Sequence, residues 1–297
     1  MSSQPNSIAV IGPGSIGAYV AAQLASSGLS VTACARRPFD TYVVDSPIAP
    51  VNCRADVVTD PADVEQHEWV IVAVKTTQTI AASPWLEHLI GPDTTVVAMQ
   101  NGVEHAERFA PLAHGVEVIP CAVYCSAELL APGHVRHTNS KVFQISDSPS
   151  ARRFAALCSN SGMDVRNHAD IHARLWRKLA GNLVANGLTA ITGQPLGVLH
   201  RPAMAGAIDA ILHEWAEVAR AEGADITQTE IDKLVHGITT NDPTIRPSML
   251  QDREASRPTE FDALYGAVVR AGRRHGIATP AHDLMMGLLD AIDGRAS

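Results

Sequence analysis

The chain reads as an α/β protein: an N-terminal Rossmann-type doubly wound sheet followed by an all-helical C-terminal domain. Three observations predict this. A short apolar run, Ile8-Ala9-Val10-Ile11, passes directly into Gly12-Pro13-Gly14-Ser15-Ile16-Gly17 and then into an apolar helical stretch, so G-x-G-x-x-G falls on a strand-to-helix turn. Strand and helix signals alternate through the first half of the chain. From about His168 the strand signals stop and only helical periodicity continues. The expected domains are therefore 1–167 and 168–297.

In the first domain, the opening strand and the helix over 18–24 frame the glycine turn. A second strand is expected over 30–35 and a nearly all-apolar one over 69–74, the composition of a strand buried on both faces of a parallel sheet. Lys75 stands at the carboxyl end of that strand. A helix over 79–90 leads to a strand over 94–99, which ends in Gln100-Asn101-Gly102. Carboxyl ends of parallel strands line the ligand crevice in open α/β sheets. Short strands are expected over 116–120, 133–136 and 142–145, with Pro132-Gly133 as a turn, and a helix over 150–161 closes the domain. In the second domain, helices are expected over 175–188, 202–222, 229–237, 258–275 and 280–292. Pro202, Pro258 and Pro280 open three of them, and Gly223 and Gly276 close two. The segment 235–246, rich in Thr, Asn and Pro, reads as a loop.

Bulk properties exclude several classes. With 297 residues, 46% of them hydrophobic, the chain can bury a large core. Its net charge of −8 argues against nucleic acid as a partner. No apolar run reaches the ~20 residues of a membrane helix, and no basic, apolar leader opens the chain, so a cytoplasmic protein with no membrane partner is expected. Five scattered cysteines without a C-x-x-C pair suggest free thiols in a reducing compartment. Thirteen histidines show no ligand spacing, and no metal is expected.

The glycine motif implies a dinucleotide. Gly12 serves the tight turn, Gly14 lets a pyrophosphate approach the backbone, Gly17 lets the helix pack on the strand, and Ser15 and Ile16 lie at the helix N-terminus, which attracts phosphate. Past the second strand, an NAD site usually carries Asp or Glu for the ribose 2′-hydroxyl. This chain has Arg36-Arg37 there, which suits a 2′-phosphate and points to NADPH/NADP+. Arg36 is preferred, because Arg37 precedes Pro38.

Two segments of the second domain carry candidate chemistry. Lys178, Asn182 and Asn186 follow i, i+4, i+8, a polar stripe along one helix face beside Leu175, Leu179 and Leu183. Asparagine is a poor helix former, so two in line with a lysine among leucines suggest a face turned to a cleft rather than a merely solvated one. In Ser248-Met249-Leu250-Gln251-Asp252 to Arg257-Pro258-Thr259-Glu260, Glu260 is expected in the first turn of a helix begun by Pro258, where a carboxylate suits the dipole.

Taken together, the G-P-G-S-I-G turn, Lys75, Asn101-Gly102, the L-W-R-K-L-x-x-N-x-x-x-N helix and the S-M-L-Q-D…R-P-T-E-x-D segment resemble the ketopantoate reductase (2-dehydropantoate 2-reductase) family over nearly the whole chain. The resemblance implies NADPH-dependent reduction of a 2-oxo acid to a 2-hydroxy acid in pantothenate biosynthesis. It implies Lys178 as the general acid and Glu260 as its support and a substrate holder. By the same resemblance Asn101 touches cofactor and substrate, Asn182, Asn186 and Ser248 bind substrate, and Arg36 and Lys75 contact the phosphorylated cofactor. A homodimer is compatible with it. His134 and His137 read as strand-surface histidines or as substrate contacts. Left open are a different 2-oxo acid, an opine-type reaction joining an amine to a keto acid, and a non-catalytic NADP(H)-binding sensor.

Overall fold

A computed structural model describes residues 4–294. The chain divides into two compact units: one runs up to Gln100 and resumes over His105–Ile171, the other comprises Asn101–Glu104 and the chain from His172 onward.

The first unit contains β1 (Gln4–Ile11), α1 (Ser15–Ser26), β2 (Val31–Cys34), β3 (Thr41–Asp45), β4 (Val51–Arg54), β5 (Asp56–Val58) and β6 (His67–Val72). It continues through α2 (Ser83–Leu89), β7 (Thr95–Ala98), α3 (His105–Phe109), β8 (Val118–Ala131), β9 (His134–Ser146), α4 (Pro149–Leu157) and β10 (Asp164–His168). Six strands lie parallel in the spatial order β5-β2-β1-β6-β7-β8. Numbered as they occur in the chain, these six run 3-2-1-4-5-6, the doubly wound order whose direction reverses between β1 and β6. The glycine turn follows β1 and Lys75 follows β6, so both lie at the reversal. Trp69–Val72 of β6 and Val96–Ala98 of β7 are fully buried, as strands covered on both faces must be.

Beyond β8 the sheet departs from the sequence expectation. The three short strands expected there are two long ones, β8 and β9, forming an antiparallel hairpin about Pro132-Gly133. β3 joins β9 in parallel, β4 joins β3 antiparallel, and β10 joins β9 in parallel. These edge strands were not foreseen because their partners are distant in sequence and their own alternation is short. The helix expected over 79–90 is shorter: 3₁₀ turns at Thr76–Gln78 and Ile80–Ala82 precede α2, with Pro84 in its first turn.

The second unit, among the described residues, is helical: α5 (Ile171–Asn182), a π turn (Leu183–Gly187), α6 (Leu188–Thr192), α7 (Ala205–Ala221), α8 (Gln228–Thr240), α9 (Ser248–Glu254), a second π turn (Asp262–Gly266), α10 (Ala267–His275) and α11 (Pro280–Asp293). Trp176, Leu179, Leu183, Trp215, Leu264, Tyr265 and Val268 fill its core, and the Trp215 indole donates to the Trp176 carbonyl at 3.1 Å.

Two expectations are corrected here. The loop expected over 235–246 is helical as far as Thr240. A Thr227–Glu230 capping box starts α8, and Ile231, Leu234, Val235 and Ile238 continue an apolar face through it. The helix expected from Pro258 begins only at Phe261. Thr259 is drawn aside by hydrogen bonds from its amide and hydroxyl to Asp293, so Glu260 stands just before the helix, its carbonyl accepting from the Leu264 amide at 3.2 Å. The helix α9 itself was not expected.

Candidate active site

The turn after β1 is shaped by its glycines in different ways. Gly12 has φ +81°, and a side chain there would run into Val74 beyond β6. Gly17 packs on the Gly12 carbonyl, leaving no room for a Cβ. Gly14, by contrast, has ordinary φ −79°, and a Cβ on it would meet no atom within 4 Å. Internal packing therefore requires Gly12 and Gly17 but not Gly14, whose open side is what an approaching pyrophosphate would need. At the N-terminus of α1, where Ser15 and Ile16 lie, no side chain caps the first amides and no acidic residue stands in the first turn, so the positive end of the helix is unneutralised. These residues fit a dinucleotide.

Arg36 and Arg37 follow β2 and are exposed, beside the same reversal point. Lys75 is half-buried and begins a 3₁₀ turn, its carbonyl accepting from the Gln78 amide at 2.8 Å. That turn is held by Gln100, a residue the sequence reading passed over. Gln100 is buried, and its Nε2 donates to the Val74 carbonyl and the Thr79 hydroxyl, each at 2.9 Å. The signal for it was a polar amide directly after the apolar run Val96–Met99.

In the second unit the structure brings Lys178, Asn101 and Glu260 together. Lys178 Nζ donates to Asn101 Oδ1 at 2.8 Å, and Asn101 Nδ2 donates to Glu260 Oε2 at 3.0 Å. The asparagine amide thus bridges an ammonium and a carboxylate, its oxygen toward the cation and its nitrogen toward the anion. Glu260 is 5% exposed. A carboxylate so buried needs such donors.

One turn along α5, Asn182, Asn186 and Ser248 form a second group. Asn186 Oδ1 accepts from the Ser248 hydroxyl at 3.0 Å and from the Met249 amide at 3.1 Å, and so caps α9. Its Nδ2 donates to Asn182 Oδ1 at 3.3 Å. The Asn182 Nδ2 is buried and has no hydrogen-bond partner among the described residues. The π turn at Leu183–Gly187 carries Asn186. Tyr265, from the opposing π turn, donates its hydroxyl to the Leu183 carbonyl. Sequence periodicity gave no sign of either π turn.

His137 is corrected from a strand-surface residue. It is 1% exposed, its ring lies 4.5 Å from that of Tyr19, and its nitrogens meet Ser46 Oγ and the Ser140 carbonyl, each at 2.8 Å. His134 is half-buried and pairs with Asp45 at 2.8 Å. Among the described residues no group of three or more His, Cys, Asp or Glu side chains could hold a metal, and no helix is long and apolar enough to cross a membrane.

A doubly wound sheet with an open glycine turn, joined to a helical unit carrying a lysine–asparagine–glutamate group, defines a nicotinamide-dependent oxidoreductase. The chain belongs to the ketopantoate reductase PanE/ApbA family: the family's N-terminal model matches residues 8–150 and its C-terminal model residues 170–293. It is 36% identical over 286 residues to the 2-dehydropantoate 2-reductase of Caulobacter vibrioides, covering 96% of this chain and 98% of that one. Among solved structures it resembles a PanE/ApbA family ketopantoate reductase from Ralstonia eutropha JMP134, with a TM-score of 0.90 and 28% identity over 98% of this chain and 99% of the other. It also resembles a dimeric ketopantoate reductase from Staphylococcus aureus, with a TM-score of 0.88 and 27% identity over 98% and 100% of the two chains.

Proposed function

We propose that this chain reduces 2-dehydropantoate (ketopantoate) to (R)-pantoate with NADPH, a step towards pantothenate and coenzyme A. The observation that carries the reading is the bridged group of Lys178, Asn101 and Glu260, in a chain of this family. Lys178 is the general acid: its ammonium stabilises the negative charge developing on the ketone oxygen and delivers the proton there. Glu260, acting through Asn101, holds the ammonium in place and accepts a hydrogen bond from substrate. Asn101 serves both substrate and cofactor. Asn182 offers its unpartnered Nδ2 to an oxygen of the substrate, and Asn186 and Ser248 complete that end.

Gly12, Gly14, Ser15, Ile16 and Gly17 hold the pyrophosphate. Arg36 reads the 2′-phosphate and Lys75 adds a second cation for the cofactor's phosphates. When bound, the nicotinamide supplies the hydride to the carbonyl carbon. By likeness to the Staphylococcus aureus enzyme we read the chain as a homodimer, which sedimentation of the purified protein tests.

The test of the function is NADPH oxidation with ketopantoate, run beside pyruvate, 2-oxoisovalerate and an NADH control. Turnover of ketopantoate well above the other acids is expected. A higher kcat/KM for another 2-oxo acid would move the substrate while leaving the chemistry. NADPH binding without turnover of any acid would leave the sensor reading and the opine-type one, which turnover on adding an amine would tell apart.

A further inference from the structure

Asn101 bridges the proposed acid and carboxylate, yet it stands on a stretch with neither helix nor strand, Asn101–Glu104, in which Gly102 has φ +94°. Such a segment holds a side chain in place only if something else fixes it. Val103 packs against the core of the second unit. A second anchor is Glu104. Its carboxylate is held by Arg270 in a two-pronged pair, Nε to Oε1 at 2.9 Å and Nη2 to Oε2 at 2.7 Å.

The same guanidinium reaches back over the second π turn. It donates from Nη1 to Asp262 Oδ1 at 2.7 Å and from Nη2 to the Asp262 carbonyl at 3.0 Å. Gly266 lies beneath this contact: a Cβ there would come within 2.5 Å of Asp262 Oδ1 and 2.9 Å of Arg270 Nη1. One side chain thus grips the carboxylate of the residue three beyond Asn101, and both the carboxylate and the carbonyl of the residue two beyond Glu260. The Glu104 carboxylate, with Asp262 behind it, holds the Arg270 guanidinium firmly protonated.

We propose that Arg270 is a positioning residue for the reaction: by clamping Glu104 and Asp262 together, it holds Asn101 against Glu260 and Lys178. The proposal rests on the reading of those three residues as the reacting group. Only arginine suits the place, because the grip uses its planar fork of donors, which lysine lacks.

The test is a double-mutant cycle on the full chain, with kcat and KM for ketopantoate and for NADPH. Arg270→Met and Glu104→Gln are each expected to lower kcat about tenfold through lost alignment, with KM for NADPH raised no further than Asn101→Ala itself raises it. Arg270→Lys should recover only a small part. In an Asn101→Ala background, Arg270→Met should cost little more, because the residue it positions is gone. The proposal is overturned if Arg270→Met leaves kcat unchanged in the otherwise native protein, or costs as much in the Asn101→Ala background as outside it. Should Arg270→Met not fold, Glu104→Gln carries the same cycle. An Asn101→Ala enzyme with native kcat, or a native chain inactive on every 2-oxo acid, would instead remove the underlying reading, and the proposal with it.

Discussion

The hydroxyl of Tyr265 lies against the Cα of Gly187 and donates to the carbonyl of Leu183, four residues earlier in the same π turn. A π turn departs from the regular i→i−4 ladder of helix hydrogen bonds. Tyr265 adds a donor to it from the facing π turn, and the absence of a side chain at 187 gives its hydroxyl room. Burial also pushes the phenol well above its usual pKa, so it stays protonated and able to donate. The arrangement fixes the stretch of chain that carries Asn186 and, just before it, Asn182.

Gly187→Ala should therefore be costly although alanine is the better helix former. Its Cβ would collide with the Tyr265 hydroxyl and crowd the ring behind it. Overpacking of a filled core costs about 1–3 kcal/mol, read as a lower urea midpoint at unchanged slope. Tyr265→Phe added to it should restore part of the loss by removing the oxygen. A Gly187→Ala protein as stable as the native one would show that the contact relaxes freely.

Lys178→Ala should lower kcat with ketopantoate by about 10²–10⁴-fold, the usual contribution of a positioned acid. NADPH affinity, measured by fluorescence titration, should change far less than kcat, since of the residues read as its cradle Lys178 bonds to Asn101, whereas the glycine turn, Arg36 and Lys75 belong to the first unit. A variant with native kcat would take the lysine out of the mechanism.

Much of this was legible in the sequence, for reasons that are local. The glycine turn, the apolar β6 and β7 and the run of C-terminal helices each declare themselves within a dozen residues. So did the polar stripe of α5, because Asn182 and Asn186 interrupt a leucine-rich helix. What was not legible depends on contacts across long sequence separations. The pairing of β3 with β9, the pull of Asp293 on Thr259 and the meeting of Asn101 with Glu260 leave no periodic trace. The same holds for Asp262 and Arg270, eight residues apart and joined across a π turn that sequence periodicity does not anticipate.

Arg36→Ala tests the cofactor assignment. If its guanidinium meets a 2′-phosphate, NADPH binding should weaken by about 1–3 kcal/mol, as for a lost charge-assisted hydrogen bond, while NADH binding stays nearly constant. Equal weakening of both would place Arg36 on a part common to the two cofactors.

His282 should make stability depend on pH. The ring is fully buried on α11, with Nδ1 held at 2.8 Å by Glu214 and Nε2 without a partner among the described residues. Burial lowers its pKa, and the neighbouring Glu214 and Asp283 only partly oppose this. In the unfolded chain a histidine titrates near 6.5. Above that pH the ring is neutral in both states and exacts no penalty. As the pH falls below it, the unfolded chain takes up a proton that the folded protein resists, so stability declines until the folded pKa is passed. Urea unfolding followed from about pH 7.5 to 5 should show the native protein losing stability more steeply than His282→Gln, by up to ~1.4 kcal/mol per pH unit. Glu214 also accepts from the amides of Ala281 and His282 at the start of α11, a contact the glutamine variant leaves in place, so the difference isolates the ring. Parallel pH curves for the two proteins would mean that His282 charges as readily in the fold as outside it.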